Sequence, residues 1–211
     1  MSLRCSEAVP ATLLALVLVA CASTAPPVDP AAAPAWVGHF GVFEGADGRT
    51  VEAVGSSATA ADPGSRRATS LSHGRAQLAL TVDALTAMLA GEFVAGLRDG
   101  FADELVESGR FVESVSRQVT DEVMRVSPSE PESQPLRWTD PITKMMYVLM
   151  SLPLDTVAKS YHEQMNRAFQ RESTLGSLSA GADAFSELLD QQLEQLREQP
   201  VAEISARFSA R

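Results

Sequence analysis

Thr50-Val51-Glu52-Ala53-Val54-Gly55-Ser56-Ser57-Ala58, and shortly after it Asp62-Pro63-Gly64-Ser65, decide how this chain folds. The first stretch is rich in β-formers and alternates weakly, with Gly48 before it as a turn, and reads as a strand. The second reads as a helix start. Asp62 can accept hydrogen bonds from the open amides of a first turn, and Pro63 has the φ and the missing N–H that a first helical position tolerates. Leu71, Leu78, Val82, Leu85 and Leu89 then recur at spacings of seven, four, three and four, so a long helix with one apolar face follows. Gly91 and Gly96 are expected to weaken its far end.

Outward from this pair, residues 98 to 127 read as mostly helical. Phe101 and Leu105 are four apart, and Phe111, Val115, Val119 and Val123 repeat every four residues. Their β-branched content leaves a strand in part of this stretch as an alternative. Pro128, Pro131 and Pro135 make 127–135 a loop. A hairpin follows: Leu136 to Thr139, a turn at Asp140-Pro141, and Lys144 to Leu152. The second strand is apolar on both faces, Met145, Tyr147 and Leu149 on one and Met146, Val148, Met150 and Leu152 on the other, which suits a central or doubly covered strand. Pro153-Leu154-Asp155 opens another helix, with Asp155 as its N-cap and Leu154, Ala158, Tyr161, Met165 and Ala168 as its stripe. Ser173 to Gly181 reads as a linker. Phe185, Leu189, Leu193 and Leu196 form a narrow stripe on a last polar helix, ended by Pro200. Residues 173–211 are therefore expected to be dispensable for folding.

The N-terminus reads as an export signal. An apolar run from Val9 to Ala20 follows Arg4 and ends in Leu18-Val19-Ala20-Cys21. The run has the length of a signal-peptide core and is too short to span a bilayer. A branched residue three before a cysteine, with small residues between, is the bacterial lipobox, so Cys21 is expected to carry a lipid and to begin the mature chain. Residues 1–20 are then the signal peptide. Residues 21–35, with Pro26, Pro27, Pro30 and Pro34 among alanines, are an extended tether. Cys5 leaves with the signal, and the lipid takes Cys21, which excludes a disulfide, a zinc cluster or a cysteine nucleophile in the mature protein. Ala22 rather than Asp after the cysteine fits the outer membrane as destination.

The formal net charge is −10. Residues 99–132 hold nine acids and three bases, and residues 172–211 seven acids and three bases, so the acidity sits in two segments. Such a chain is a poor nucleic-acid binder. Its net charge also keeps it off anionic lipid except through the acyl anchor.

Chemistry-bearing constellations are sparse. His39, His73 and His162 have no second histidine at helical spacing. Gly55-Ser56-Ser57 is no nucleophile elbow, and no phosphate loop occurs. Asp103-Glu104 and Asp121-Glu122 are sequence neighbours on different helix faces. The expectation is no catalytic, cofactor or metal site. Trp36, where the tether meets the domain, and Trp138, in the hairpin, are expected to be structural anchors in the core.

Pro34-Ala35-Trp36-Val37, Glu52-Ala53-Val54-Gly55-Ser56-Ser57, the helix start from Arg66 to Leu80, Arg137-Trp138-Thr139-Asp140 and Met146-Tyr147-Val148-Leu149 appear in that order behind a lipobox. In this the chain resembles the LPP20 family of bacterial lipoproteins, over residues 34 to about 170. The resemblance implies an α+β domain, a small antiparallel or mixed sheet packed on a long helix with additional helices, placed here at 36–172. It also implies oligomers and a non-catalytic envelope role, flagellum-associated in some members. The long acidic segment 91–132 and the tail from 173 depart from that pattern. The working expectation is a lipid-anchored structural or assembly factor with an envelope protein partner. The alternative is a periplasm-facing regulator that binds an envelope enzyme or cell-wall material. A homo-oligomer is expected across the sheet, with Met146, Val148 and Met150 near the contact, unless the helices of 98–127 cover that face within one chain.

Overall fold

In a computed structural model the described residues are 32–45, 47–57, 62–98, 108–126, 136–173 and 182–204, all in one compact unit, Ala31–Arg211. The signal run, Cys21, most of the tether and the proline-rich 127–135 lie outside them, as do Phe101 and Leu105 and most of the Ser173 to Gly181 linker. A 3-10 turn, η1 (Ala35–Gly38), leads into strands β1 (Phe40–Gly45) and β2 (Gly48–Ser56). Helices α1 (Pro63–Arg98) and α2 (Ser108–Val126) follow, then β3 (Arg137–Thr139), β4 (Met146–Pro153), α3 (Leu154–Ser173) and α4 (Ala182–Glu198). The strands form one antiparallel sheet in the order β1-β2-β4-β3. The fold is α+β, with the long helix on the sheet.

Partners in an antiparallel register share a face. Val51 pairs with Leu152, Ala53 with Met150 and Gly55 with Val148, and all six are buried. Above them runs α1. Its Leu78, Val82, Leu85 and Leu89 are buried in the core, while Leu71 is half-buried at the margin. The crossing of β2 and α1 is unusually close. A Cβ placed on Gly55 would lie 2.1 Å from the Ser70 carbonyl oxygen and 2.2 Å from the Gly74 nitrogen. One on Gly74 would lie 2.7 Å from the Met150 Cγ. Strand and helix backbones therefore touch, and only glycine fits on either side. Neighbouring buried hydroxyls on α1 bond back to their own helix. Ser70 Oγ donates to the Arg66 carbonyl at 2.6 Å, Thr81 Oγ1 to that of Gln77 at 2.8 Å and Thr86 Oγ1 to that of Val82 at 2.9 Å.

The helix starts as its sequence predicts. Asp62 Oδ1 accepts the Ser65 amide at 2.9 Å, and Pro63 is the first helical residue. Gly91 does not end it. Met88, Leu89, Ala90, Phe93 and Val94 are all buried around that point, and their burial outweighs the roughly 1 kcal/mol a helical glycine costs. By length and composition α1 could cross a membrane. Here it is the core helix, packed on β2 and β4. In α2, Val115, Val119 and Val123 are buried against α1 and α3, so tertiary packing overrides the β-branched bias and the strand alternative does not occur there.

Three expectations are corrected. Asp155 is not the N-cap of α3; the helix begins directly off β4 at Leu154, which puts Asp155 inside the first turn. The second hairpin strand starts at Met146, because Asp140 to Met145 form a closed turn with Lys144 at φ 59°. And α4 is not an appendage. Leu189, Leu193, Leu196 and, beyond Pro200, Ile204 belong to the one core, alongside Tyr161 and Leu89. The Tyr161 hydroxyl donates to Gln192 Oε1 at 3.1 Å, and Gln192 Nε2 donates to the Leu89 carbonyl at 2.7 Å. Arg49 of β2 donates to the Leu196 carbonyl at 2.9 Å. One polar chain thus ties α3, α4 and α1 together inside the packed layer.

Candidate functional site

The helices lie on one face of the sheet, so anything the sheet offers a partner lies on the other. Alternation places Thr50, Glu52, Val54 and Ser56 of β2 there, and Tyr147, Leu149 and Ser151 of β4. Trp138 of β3 pairs with Tyr147, and their rings sit 5.5 Å apart at a 35° tilt. Val54, Tyr147, Leu149 and Trp138 are half-buried.

The chain enters across this face. The Val37 amide donates to the Pro34 carbonyl at 3.0 Å and the His39 amide to that of Trp36 at 2.9 Å, closing η1 against β2 and β4. Trp36 and Val37 are half-buried within it. His39 then fastens the entry. Its ring stacks on Phe43 at 3.9 Å and 8°, and its Nδ1 lies 2.6 Å from Glu52 Oε2. Thr50 Oγ1 donates to the other Glu52 oxygen at 2.9 Å.

Trp36 and Trp138 therefore do not sit in the core, as their size suggested; both are half-buried, and Trp138 lies on the outer face beside Tyr147. Met146, Val148 and Met150 move the opposite way. Val148 is 0% exposed and Met150 9%, inside a single chain, while Met146 is half-buried. What covers them is chiefly α1, not the acidic helix α2. Their side of the strand is the core side, and the half-buried apolar residues of β4 on the outer face are Tyr147 and Leu149.

The other histidines are used structurally. His73 Nδ1 accepts the Ser56 amide at 3.0 Å, and His162 Nε2 lies 3.3 Å from Asp190. Ser56 Oγ is 3.4 Å from His73 Nδ1, but that nitrogen already takes the backbone amide, and Nε2 faces Gln77 Nε2 at 3.3 Å, not a carboxylate. The pair lacks the orienting acid of a nucleophile–base relay. Ser57, almost fully buried, extends the ladder: its amide donates to the Met146 carbonyl at 2.9 Å, and its Oγ accepts the Met146 amide at 3.2 Å. Among the described residues no three His, Cys, Asp or Glu side chains are grouped as metal ligands. A cleft between α1 and α4, lined by Glu92, Gln192, Gln195 and Gln199 among others, has about 10 Å³ of space, room for one water.

The β3–β4 turn is the most sharply built exposed feature. Asp140 accepts the Ile142 amide at 2.8 Å and the Thr143 hydroxyl at 2.6 Å. The Thr143 hydroxyl, with the Ile142 amide, holds the Asp140 carboxyl below the ordinary carboxylate range. The Lys144 amide donates to the Asp140 carbonyl at 2.9 Å, and Lys144 Nζ to that of Pro141 at 2.5 Å. The turn carries Ile142 at its tip, 88% exposed.

Sequence reasoning missed the outer assignment of Tyr147 and Leu149, the His39–Glu52 clasp and the Ile142 tip. Gly55 was the available signal for the first, since the strand face that carries it must meet something flat. Compared with models of known families, with curated proteins and with solved structures, the chain finds no match.

Proposed function

We propose that this protein is a lipid-anchored lipoprotein of the bacterial envelope, acting through protein contacts as a structural or assembly factor, as the likeness to the LPP20 family suggests. The observation that carries the reading is the continuity of its N-terminal half. An apolar run ends in Leu18-Val19-Ala20-Cys21, a proline-rich stretch follows, and the chain then enters the fold as a hydrogen-bonded turn clasped to the central strands by His39 and Glu52. A pull on the anchor would thus be borne by β2 and β4, not by a loose end. The outer membrane is the proposed location, and the outer sheet face around Tyr147, Leu149 and Trp138 is the surface left for assembly. Metabolic labelling with a fatty acid tests the anchor: label is expected on the wild type and lost in Cys21→Ser, with loss of the membrane fraction. Equal label on both would sink the reading. Light scattering on detergent-solubilised protein tests assembly, and a monomer at tens of micromolar would remove the oligomer.

A further inference from the structure

We propose that the end of the sheet bearing the β3–β4 turn docks on an anionic phospholipid surface, with Ile142 entering the interface and the exposed Arg67 and Lys144 facing lipid phosphates. The proposal rests on the lipid-anchor reading and deepens it.

The register shows what lies at this end. Strand β1 stops pairing at Phe40, opposite Ala53, whereas β2 runs on to Ser56 beside Tyr147. Going backwards from Phe40, the chain heads towards the edge where β2 ends and β4 begins. That edge also carries the 140–145 turn, since Thr139 pairs with Met146. The first turn of α1 is there too, because Arg66 Nη1 donates to the Lys144 carbonyl at 3.1 Å. The tether root, the helix start and the hairpin tip thus share one end of the domain.

Its chemistry differs from the rest of the chain. Against a net charge of −10, this end carries Lys144 in the turn, Arg66 bonded to the Lys144 carbonyl, and Arg67 beside it in the first turn of α1. The two acids beside them, Asp62 and Asp140, cap the helix and the turn and keep their charge, so these five groups sum to +1. At this end the local charge balance is positive although the chain as a whole is acidic, and screening limits the reach of more distant charges to about 8–10 Å. Ile142 stands out beside these cations on a turn closed by its own hydrogen bonds, so little order is lost when it is buried. From Cys21 to Pro34 the chain reaches about 40–50 Å at most, at about 3.1–3.6 Å per residue. The anchor thus keeps this end near the bilayer, where even a weak contact is populated by its high effective concentration. One apolar side chain among cations is the pattern of a peripheral interfacial contact.

The test uses the full lipidated chain in vesicles, with Ile142→Cys carrying an environment-sensitive fluorophore and exposed Glu163→Cys on α3 as the control position. In phosphatidylethanolamine–phosphatidylglycerol vesicles containing nitroxide-labelled lipid, the label at 142 should be quenched and that at 163 should not. Quenching should be lost in phosphatidylcholine alone. It should also be lost in Arg67→Glu/Lys144→Glu, where two cations worth about fivefold each lower the docking equilibrium constant by more than about twentyfold. Absence of quenching at 142, equal quenching at both positions, or quenching indifferent to charge reversal would each overturn the proposal. A change at 142 that follows protein concentration and not lipid would assign Ile142 to contacts between copies and overturn it as well. Fatty-acid incorporation is read separately. A labelled, membrane-bound chain with an unquenched tip defeats this inference alone. If no fatty acid is incorporated, the anchor reading fails, and the same fluorophore in a Cys5→Ser/Cys21→Ser background added to preformed vesicles decides the tip.

Discussion

The two faces of the sheet are built from alternate residues of the same strands and have opposite fates. On one, Val51, Ala53, Val148 and Leu152 are buried under α1, which is itself backed by α2, with α3 and α4 closing the layer. On the other, Val54, Tyr147 and Leu149 are only half-buried, and the one element described beside β2 and β4 there is the four-residue entry turn. Hydrophobicity does not choose between them, because β4 is apolar on both sides. Shape does. Gly55 and Gly74 let the backbones of β2 and α1 meet, and a helix seated that deeply brings Leu78, Val82 and Leu85 onto the strands. The difference teaches that contact distance, set by two glycines, can select a core face where composition leaves it open.

The contrast breaks most severely at the buried face. Gly55→Val would place a branched side chain where even a Cβ falls 2.1 Å from a backbone oxygen of α1. Helix backbone cannot yield as a side-chain tip can, so the cost is expected to exceed about 3 kcal/mol, with loss of cooperative unfolding in urea. Val148→Lys on the same face should also abolish folding, since it buries an unpaired ammonium in the core. A folded, monomeric Val148→Lys protein would show that this face is an interface after all.

Next in size is the helix that sequence reading treats as separable. Leu189 is fully buried. Leu189→Ala should cost about 2–5 kcal/mol by chemical denaturation, and truncation after Arg171 should leave a poorly cooperative protein that binds hydrophobic dyes. A truncated domain melting within a few degrees of the intact chain would restore α4 to the status of an appendage.

What the sequence made legible was local. Asp62-Pro63 marks a helix start because capping involves residues a turn apart, and the valines at 115, 119 and 123 mark a buried face because they repeat at the helical period. The hairpin was readable from Asp140-Pro141 between two apolar runs. What was not readable depends on distant partners. The stripe of α4 is narrow in isolation, and only Tyr161 and the Leu89 carbonyl, 31 and 103 residues from Gln192, make it core. Trp36 and Trp138 read as core by size, yet both are half-buried, Trp36 in the entry turn and Trp138 beside Tyr147 on the outer face. His39 and Glu52, 13 residues apart in a pattern that matches no motif, meet only because β1 and β2 pair.

A smaller effect probes the polar chain within the buried layer. Burial, with the nearby Glu92 charge, pushes the Tyr161 phenol far above its ordinary value. A folded pKa raised above the unfolded value near 10 means the group's contribution is complete below about pH 10 and is lost as the pH rises beyond it. Tyr161→Phe removes the bond to Gln192 and should cost about 1 kcal/mol at neutral pH. It should also flatten the loss of stability above pH 10 measured by urea titration. An unchanged alkaline limb would mean that other groups set it.

The smallest effect is expected one residue along from the largest. Leu149 neighbours Val148 in β4 but points to the outer face, opposite Val54 and half-exposed. A lysine there can lay its methylenes over Val54 and carry its ammonium into water, a route closed to a lysine at 148. Leu149→Lys should therefore cost no more than about 1 kcal/mol and leave a native-like circular dichroism spectrum and a cooperative melt. If the outer face is an assembly surface, the same substitution should shift light scattering from oligomer to monomer while the melt stays cooperative. A collapse of folding at Leu149→Lys, equal to that at Val148→Lys, would mean that the outer face is as tightly closed as the inner one, and the distinction between them would fall.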